Sequence, residues 1–169
     1  MDQLFRPLYR LLITLACVSM VAAFVIVMLS ILARQVTFID IQGLDAYAGY
    51  AIAATLFFTL PTALMHGDHI RVTLVLDRLG QRTRAGFEWG GLIAALGLSV
   101  YVAWFAVRAV WLSYTTHDVS PGADATPLWI PQLCMAIGCV VFALAFLDAI
   151  VARWRGREWF IAGPGSVAE

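Results

Sequence analysis

The sequence predicts an all-α membrane protein with four transmembrane helices, on three observations. First, 62% of the 169 residues are hydrophobic and 13% are charged, whereas soluble domains are roughly 45–50% apolar and about 25% charged. Second, the chain contains charge-free runs of the length that crosses a bilayer as a helix, about 20 residues. Third, these runs are continuous, whereas the strands of a membrane barrel alternate apolar and polar residues. The four runs are 11–33, 46–65, 89–107 and 125–147.

The first run is predicted to be a transmembrane helix rather than a cleaved secretion signal. Arg6 and Arg10 precede it, as basic residues precede the apolar core of a signal. Such a core is about 7–15 residues long, and this run is longer, so cleavage is not expected.

The four spans are predicted to form a single domain over residues 1–160, followed by a disordered, Gly- and Pro-rich tail over 161–169. The four spans are expected at about 11–33, 46–65, 89–111 and 127–147.

The placement of arginine predicts the orientation of the chain. Nine of the eleven arginines lie before the first run, between the second and third, or after the fourth. Only Arg34 and Arg108 lie on the other side. Because cytoplasmic loops are enriched in Lys and Arg, both termini and the middle loop are predicted to be cytoplasmic. Trp111 and Trp129 lie near run ends, as is typical of rings in the headgroup zone.

The cytoplasmic loop between the second and third spans predicts an amphipathic interfacial helix over about 70–84. Four apolar residues recur there at i, i+3, i+4 and i+7, which is one face of a helix. They are Val72, Val75, Leu76 and Leu79. Arg71, on a neighbouring face, is expected to reach lipid phosphates or a partner, and Ile70 is expected to contact protein.

The residues just before this helix allow two interpretations. His66, Asp68 and His69 offer two imidazoles and one carboxylate, which is a possible start of a metal site. No cysteine is nearby, and Gly67 and Asp68 are poor helix residues. The alternative is that Gly67 ends the second helix and the polar side chains satisfy its last carbonyls. The sequence favours this second interpretation, and neither a metal nor a cofactor is predicted.

The runs lack the groups that several functions need. No ionisable residue lies at the centre of any run, so no ion or substrate path is predicted. No buried nucleophile has a base partner, which argues against an enzyme. Cys17, Cys134 and Cys139 lie in apolar runs and are expected to be buried free thiols. A net charge of zero without a basic arm argues against a nucleic acid partner.

Charges on the predicted outer side are candidates for a subunit interface. They lie near run ends or in the outer loop, where they can pair with one another or with a partner, or extend to lipid headgroups. These residues are Arg34, Asp45, Arg108, Asp118 and Asp124. In addition, Gly49, Gly90 and Gly91 each have an alanine four residues later. This spacing permits close helix contact, either within the chain, which we expect first, or with another subunit.

Two short motifs carry a resemblance to a known family. "HGDHIRV" is similar to a Gly-x-His-Ile-x-Val pattern, at Gly67, His69, Ile70 and Val72. "SPGADATPLWIPQLCMAIG" is similar to a segment that leads into a fourth helix, and its matching positions are Pro127, Trp129, Pro131 and Gly138. In length, span number and motif order, nearly the whole chain resembles the DctQ-like small permease subunit of tripartite ATP-independent periplasmic (TRAP) transporters.

This resemblance implies an accessory subunit of the bacterial inner membrane. It would scaffold a large membrane subunit and help to dock a periplasmic solute-binding protein, for sodium-driven uptake of an organic anion such as a carboxylate. Membrane lipids would be further partners. Two alternatives stay open: the small subunit of a tripartite tricarboxylate transporter, and a structural or assembly subunit of another membrane complex. The "GDHIRV" segment favours the TRAP family.

Overall fold

The computed structural model describes residues 2–35, 43–65, 81–122 and 125–155. Each of its four long helices contains a segment that is long and apolar enough to cross a membrane. The helices are α1 (Asp2–Gln35), α2 (Leu44–Met65), α3 (Gln81–Thr116) and α4 (Trp129–Trp154). Their candidate membrane segments are Pro7–Ala33, Leu44–Leu64, Trp89–Thr116 and Trp129–Trp154. For the described residues, the prediction of four helices that are long and apolar enough to span a membrane is confirmed, and the predicted orientation stays a prediction.

The helices extend beyond the apolar runs. α3 continues to Thr116 and α4 to Trp154, past the predicted span ends at residues 111 and 147. α3 begins at Gln81, so residues 81–84, expected in the interfacial helix, belong to α3. Gln and Arg are good helix formers and can continue a helix outside the hydrocarbon. The rest of the predicted interfacial helix and the tail lie outside the described residues.

The helices pack in the order α1, α2, α4, α3. α1 packs against α2, α2 against α4, and α4 against α3. α4 is therefore an inner helix of this row, although it is the last in sequence. Half of the residues in its membrane segment (50%) are buried inside the chain, against 17% for α1. The outer helices α1 and α3 leave most of their surface to lipid or to another subunit.

Small side chains bring α4 close to α3. Ala136, Cys139 and Ala143 recur at i, i+3 and i+7 on α4, and they pack with Ala103 and Ala106 of α3. Because these side chains are short, the two backbones can approach closely, as is common between membrane helices. This cluster fixes the lateral position of α3.

A second contact region joins α1, α2 and α4. Leu12 of α1, Phe58 of α2 and Val141 of α4 lie in one apolar cluster, which Tyr9 borders. Tyr9 also borders a cluster nearer the end of α2, which contains Leu64. We call this end of the bundle, where α2 finishes, the terminal end. The opposite end, where α1 and α3 finish, is the loop end.

The connection from α3 to α4 is folded rather than extended. Val119 and Pro127 form an antiparallel bridge, and the Leu128 N–H donates to the Asp118 carbonyl over 3.0 Å. His117 adopts a left-handed backbone conformation with φ of 53°, which turns the chain out of α3. The loop end of the bundle therefore carries a structured cap on α3 and α4.

Candidate functional site

α1 exposes large apolar side chains that the described part of the chain does not cover. Each of the following is at least 60% exposed: Val18, Met20, Val21, Phe24 and Leu32. In a bilayer such side chains contact either lipid or another protein, and apolarity alone does not distinguish the two. Because α1 packs mainly against α2, this surface is available along most of the span. We call it the α1 surface.

A hydrogen bond sets α1 against α2 at the loop end. The Ser30 Oγ donates to Oδ1 of Asp45 over 2.8 Å. Ser30 is buried, and Asp45 lies in the first turn of α2, where the helix dipole favours a carboxylate. Among the outer-side charges predicted from sequence, Asp45 thus lies at a contact between helices. Arg34 belongs to the last turn of α1.

The folded α3–α4 loop is held from two sides. The Thr126 Oγ1 donates to the hydroxyl oxygen of Tyr47 in α2 over 2.9 Å. The rings of Tyr114 and Trp129 meet edge to face, with centroids 5.9 Å apart. Asp118 is exposed on this loop, and Asp124 lies outside the described residues. The loop therefore presents polar groups on a fixed backbone.

The motif residues of the fourth span build the start of α4 and its contact with α2. Pro127 takes part in the bridge to Val119, and Trp129 is the first residue of α4. Pro131 lies in the first turn, where its missing N–H has no intrahelical partner to lose. Gly138 follows two turns later and is buried against α2.

Gly138 lies where α4 touches the backbone of α2. A Cβ added at this position would lie 2.5 Å from the Phe57 carbonyl oxygen and 2.7 Å from the Phe57 Cβ. By contrast, a Cβ at Gly49, Gly90 or Gly91 would meet nothing within 4 Å. Among the described residues, these three glycines therefore make no close helix contact, which leaves them available to a neighbouring subunit, the second of the two interpretations.

Arg108 lies inside α3, as its place within the predicted span 89–111 implies. It is exposed and precedes the helix end at Thr116 by eight residues, or about 12 Å at the helical rise. No described residue forms a salt bridge with its guanidinium. Trp104 and Trp111, one turn before and one turn after it, are 68% and 69% exposed. α3 ends at Thr116 rather than at the predicted residue 111. Arg108 is therefore one to two helical turns further from the end of α3 than predicted.

Sequence reasoning missed one buried acid, Asp148. It lies in α4 near the terminal end and is only 6% exposed. Its carboxylate interacts electrostatically with Tyr9 of α1. The fourth charge-free run ends at residue 147 because Asp148 follows it. The apolar residues Ala149, Ile150 and Val151 that come next are the signal that the buried helix continues.

The first motif cannot be placed on this geometry. Its residues and those of the interfacial helix lie outside the described residues: Gly67, His69, Ile70, Arg71, Val72, Val75, Leu76 and Leu79. Within the four described ranges, no group of three His, Cys, Asp or Glu side chains could hold a metal ion. The three cysteines are free, as expected, but Cys17 is exposed on α1 rather than buried.

Comparison with known proteins identifies the family. Residues 23–156, which include parts of all four helices and the α3–α4 loop, match the family described as "Tripartite ATP-independent periplasmic transporters, DctQ component". A search of curated proteins gives no match. The family match covers most of the chain, and residues 23–156 include the positions of both motifs. The chain therefore belongs to the DctQ component family of TRAP transporters.

Proposed function

We propose that this chain is the scaffold of its transporter: it holds the large membrane subunit in the bilayer and helps to dock the solute-binding protein. The transporter would take up an organic anion, such as a carboxylate, with a sodium gradient. Family membership supports this role, because a DctQ component is one part of a tripartite system. We further propose a bacterial inner-membrane location with both termini in the cytoplasm, on the basis of the arginine distribution.

The α1 surface is the observation that carries the scaffold role. The α1 span is the most apolar of the four, with a mean hydropathy of 2.8, yet only 17% of it is buried inside the chain. A helix that its own chain leaves so open has room for a neighbouring subunit. We propose that the large membrane subunit packs there, because membrane helices associate through extended van der Waals contact.

The loop end is the proposed docking side for the binding protein. The bridge between Val119 and Pro127 and the Thr126–Tyr47 hydrogen bond fix the backbone of the α3–α4 loop. A fixed loop loses little conformational entropy when a partner binds. The exposed carboxylate of Asp118, together with Asp124 and Arg34, supplies charges that orient such a partner.

Co-expression with the large membrane subunit of the same system tests the scaffold role. We expect the two chains to co-purify, and uptake in vesicles to require this chain, the large subunit, the binding protein and an inward sodium gradient. The double variant Val21→Ala, Phe24→Ala shortens two exposed side chains of the α1 surface. It should reduce co-purification while leaving the yield of the isolated chain unchanged.

The matched control is Leu98→Ala, Tyr101→Ala, which shortens two equally exposed side chains of α3. If both double variants lower co-purification equally, the α1 surface is not the specific contact. If the chains fail to co-purify and uptake is complete without this chain, the scaffold role itself is wrong. Uptake by this chain alone would also contradict it, because transport would then not need the large subunit.

His69→Ala provides a second prediction, based on the motif position alone. We expect it to lower transport by lowering the yield of assembled complex, because the motif is proposed to form the corner between α2 and the interfacial helix. His66→Ala, a neighbouring histidine outside the motif, is the control. Complex yield by size-exclusion chromatography and uptake per assembled complex are measured together. A normal yield with altered substrate affinity would show that His69 acts in another way.

A further inference from the structure

An apolar groove runs between α3 and α4 at the loop end. Its volume is about 510 Å³, and all the side chains that line it are apolar or aromatic. Its α3 wall includes Val107, Trp111 and Tyr114, and its α4 wall includes Trp129, Ile137 and Val140. Val107 and Tyr114 are seven residues apart, so the groove follows about two helical turns, or about 10 Å.

The change in side-chain size along the two helices explains why the groove exists. Deeper in the bilayer, Ala103, Ala106 and Cys139 let α3 and α4 touch. Towards the loop end, the positions that face the partner helix carry large rings instead. Tyr114 and Trp129 meet edge to face there, which keeps the helices apart and bounds the groove. The groove therefore forms because large aromatic side chains hold α3 and α4 apart at the loop end.

A positive charge lies beside this groove. Arg108 follows the lining residue Val107 and precedes the lining residue Trp111 by one turn, so it lies on the flank of the groove wall. It is exposed, and within the described ranges no carboxylate forms a salt bridge with it. Arg108 lies within a candidate membrane segment, where a guanidinium requires an anion or must extend its side chain towards the headgroups. Guanidinium groups bind phosphate oxygens in a two-pronged geometry.

We propose that the groove is a phospholipid site, in which one acyl chain lies between α3 and α4 and Arg108 binds the phosphate. The charge beside the groove favours a phospholipid over an apolar helix of another subunit, because the phosphate supplies the anion that the Arg108 guanidinium can bind. The exposed rings of Trp104 and Trp111 are of the kind that lies at headgroup level.

Photolabelling of the full chain in vesicles tests this site. The vesicles contain phosphatidylethanolamine and phosphatidylglycerol, with a trace of phosphatidylethanolamine that carries a diazirine on one acyl chain. We expect label on peptides that contain Val107 or Ile137. A diacylglycerol with the same diazirine chain lacks the phosphate and should label them less. Loss of about 1 kcal/mol of charge-assisted binding energy corresponds to roughly a fivefold decrease in the labelling of these peptides.

Variants separate the two parts of the site. Val107→Trp and Val140→Trp fill the groove from its two walls and should lower labelling by roughly tenfold, which corresponds to about 1.4 kcal/mol. Arg108→Gln should lower it to the level of the diacylglycerol probe, and Arg108→Lys should keep most of it. The controls are Leu98→Trp, nine residues before Val107 and so on the opposite face of α3, and Arg10→Gln, an exposed arginine of α1.

Three results would overturn the proposal. Equal labelling by both probes would show that Arg108 does not bind the phosphate. Equal labelling of Val107→Trp and Leu98→Trp would show that the acyl chain does not lie in the groove. The third concerns the complex with the large subunit. If a photocrosslinking residue at position 137 joins that subunit and the lipid label is absent, a protein helix occupies the groove instead. Arg108→Gln alters only an exposed side chain, so the test holds even if a tryptophan variant misfolds.

Discussion

Gly138→Ala is expected to lower the free energy of unfolding by about 1–3 kcal/mol, the usual effect of overpacking a tight contact. The added methyl would lie 2.5 Å from the Phe57 carbonyl oxygen and 2.7 Å from the Phe57 Cβ. A backbone oxygen cannot rotate away as the end of a long side chain can. α2 and α4 must therefore separate, and α4 contacts both α2 and α3. Detergent-solubilised protein should show this as a lower melting temperature.

The control for this prediction is Gly97→Ala in α3. A Cβ at Gly97 would meet nothing within 4 Å, and alanine is a better helix former than glycine by about 1 kcal/mol. Gly97→Ala should therefore be neutral or slightly stabilising. Equal melting temperatures for the two variants would show that α2 and α4 are not in close contact at Gly138. The larger Gly138→Leu should prevent a folded, monodisperse protein.

Asp148→Ala is the second change with a large expected effect, about 1–3 kcal/mol of lost stability. This is the range for removing one member of a buried polar interaction. Asp148 is 6% exposed and has an interaction partner, and its carboxylate lies within electrostatic range of Tyr9 of α1. Asp148→Asn keeps the volume and one carbonyl oxygen and should lose less. Unfolding by a titration with a denaturing detergent, followed by circular dichroism, measures the difference.

A double-mutant cycle with Tyr9→Phe makes this prediction specific. Contacting residues couple by about 0.5–3 kcal/mol, and distant residues add independently. We expect Asp148→Ala and Tyr9→Phe to be non-additive. Asp118→Ala, a change at an exposed acid of the α3–α4 loop, is the control and should leave stability unchanged. Full additivity, or an equal effect of the two alanine variants, would contradict a coupled pair at the terminal end.

The sequence was sufficient for the number and type of helices, because a bilayer imposes a length and a composition that are visible in one dimension. The positions of the helix ends were harder to predict from the sequence. Asp148 has the charge that normally marks the end of a span. The apolar residues after it indicate that the helix continues, but that its carboxylate is buried follows only from the packing of the helices. The order α1, α2, α4, α3 was also not predictable, since hydropathy carries no information about neighbours.

Two glycines show which part of the candidate site the sequence could not predict. Gly138 and Gly91 both lie in apolar runs near other small residues. One touches the backbone of α2, and the other meets nothing in the described bundle. Gly91 has an alanine four residues later and Gly138 does not, so the spacing favours Gly91, and only the packing of the four helices shows that Gly138 is the glycine in close contact. The sequence indicates Gly138 only through its place in a family motif, and the structure supplies its physical role. The sequence shows Arg108 as a charge, but the groove beside it requires both α3 and α4.

The inner position of α4 has a consequence for biosynthesis. Of the four described helices it is synthesised last, yet it contacts both α2 and α3. Before it is inserted, the described parts of the α1–α2 pair and of α3 lack the helix that packs between them. The four-helix packing can therefore form only after residue 154 has been synthesised, so a chain truncated before α4 would leave α3 without its packing partner.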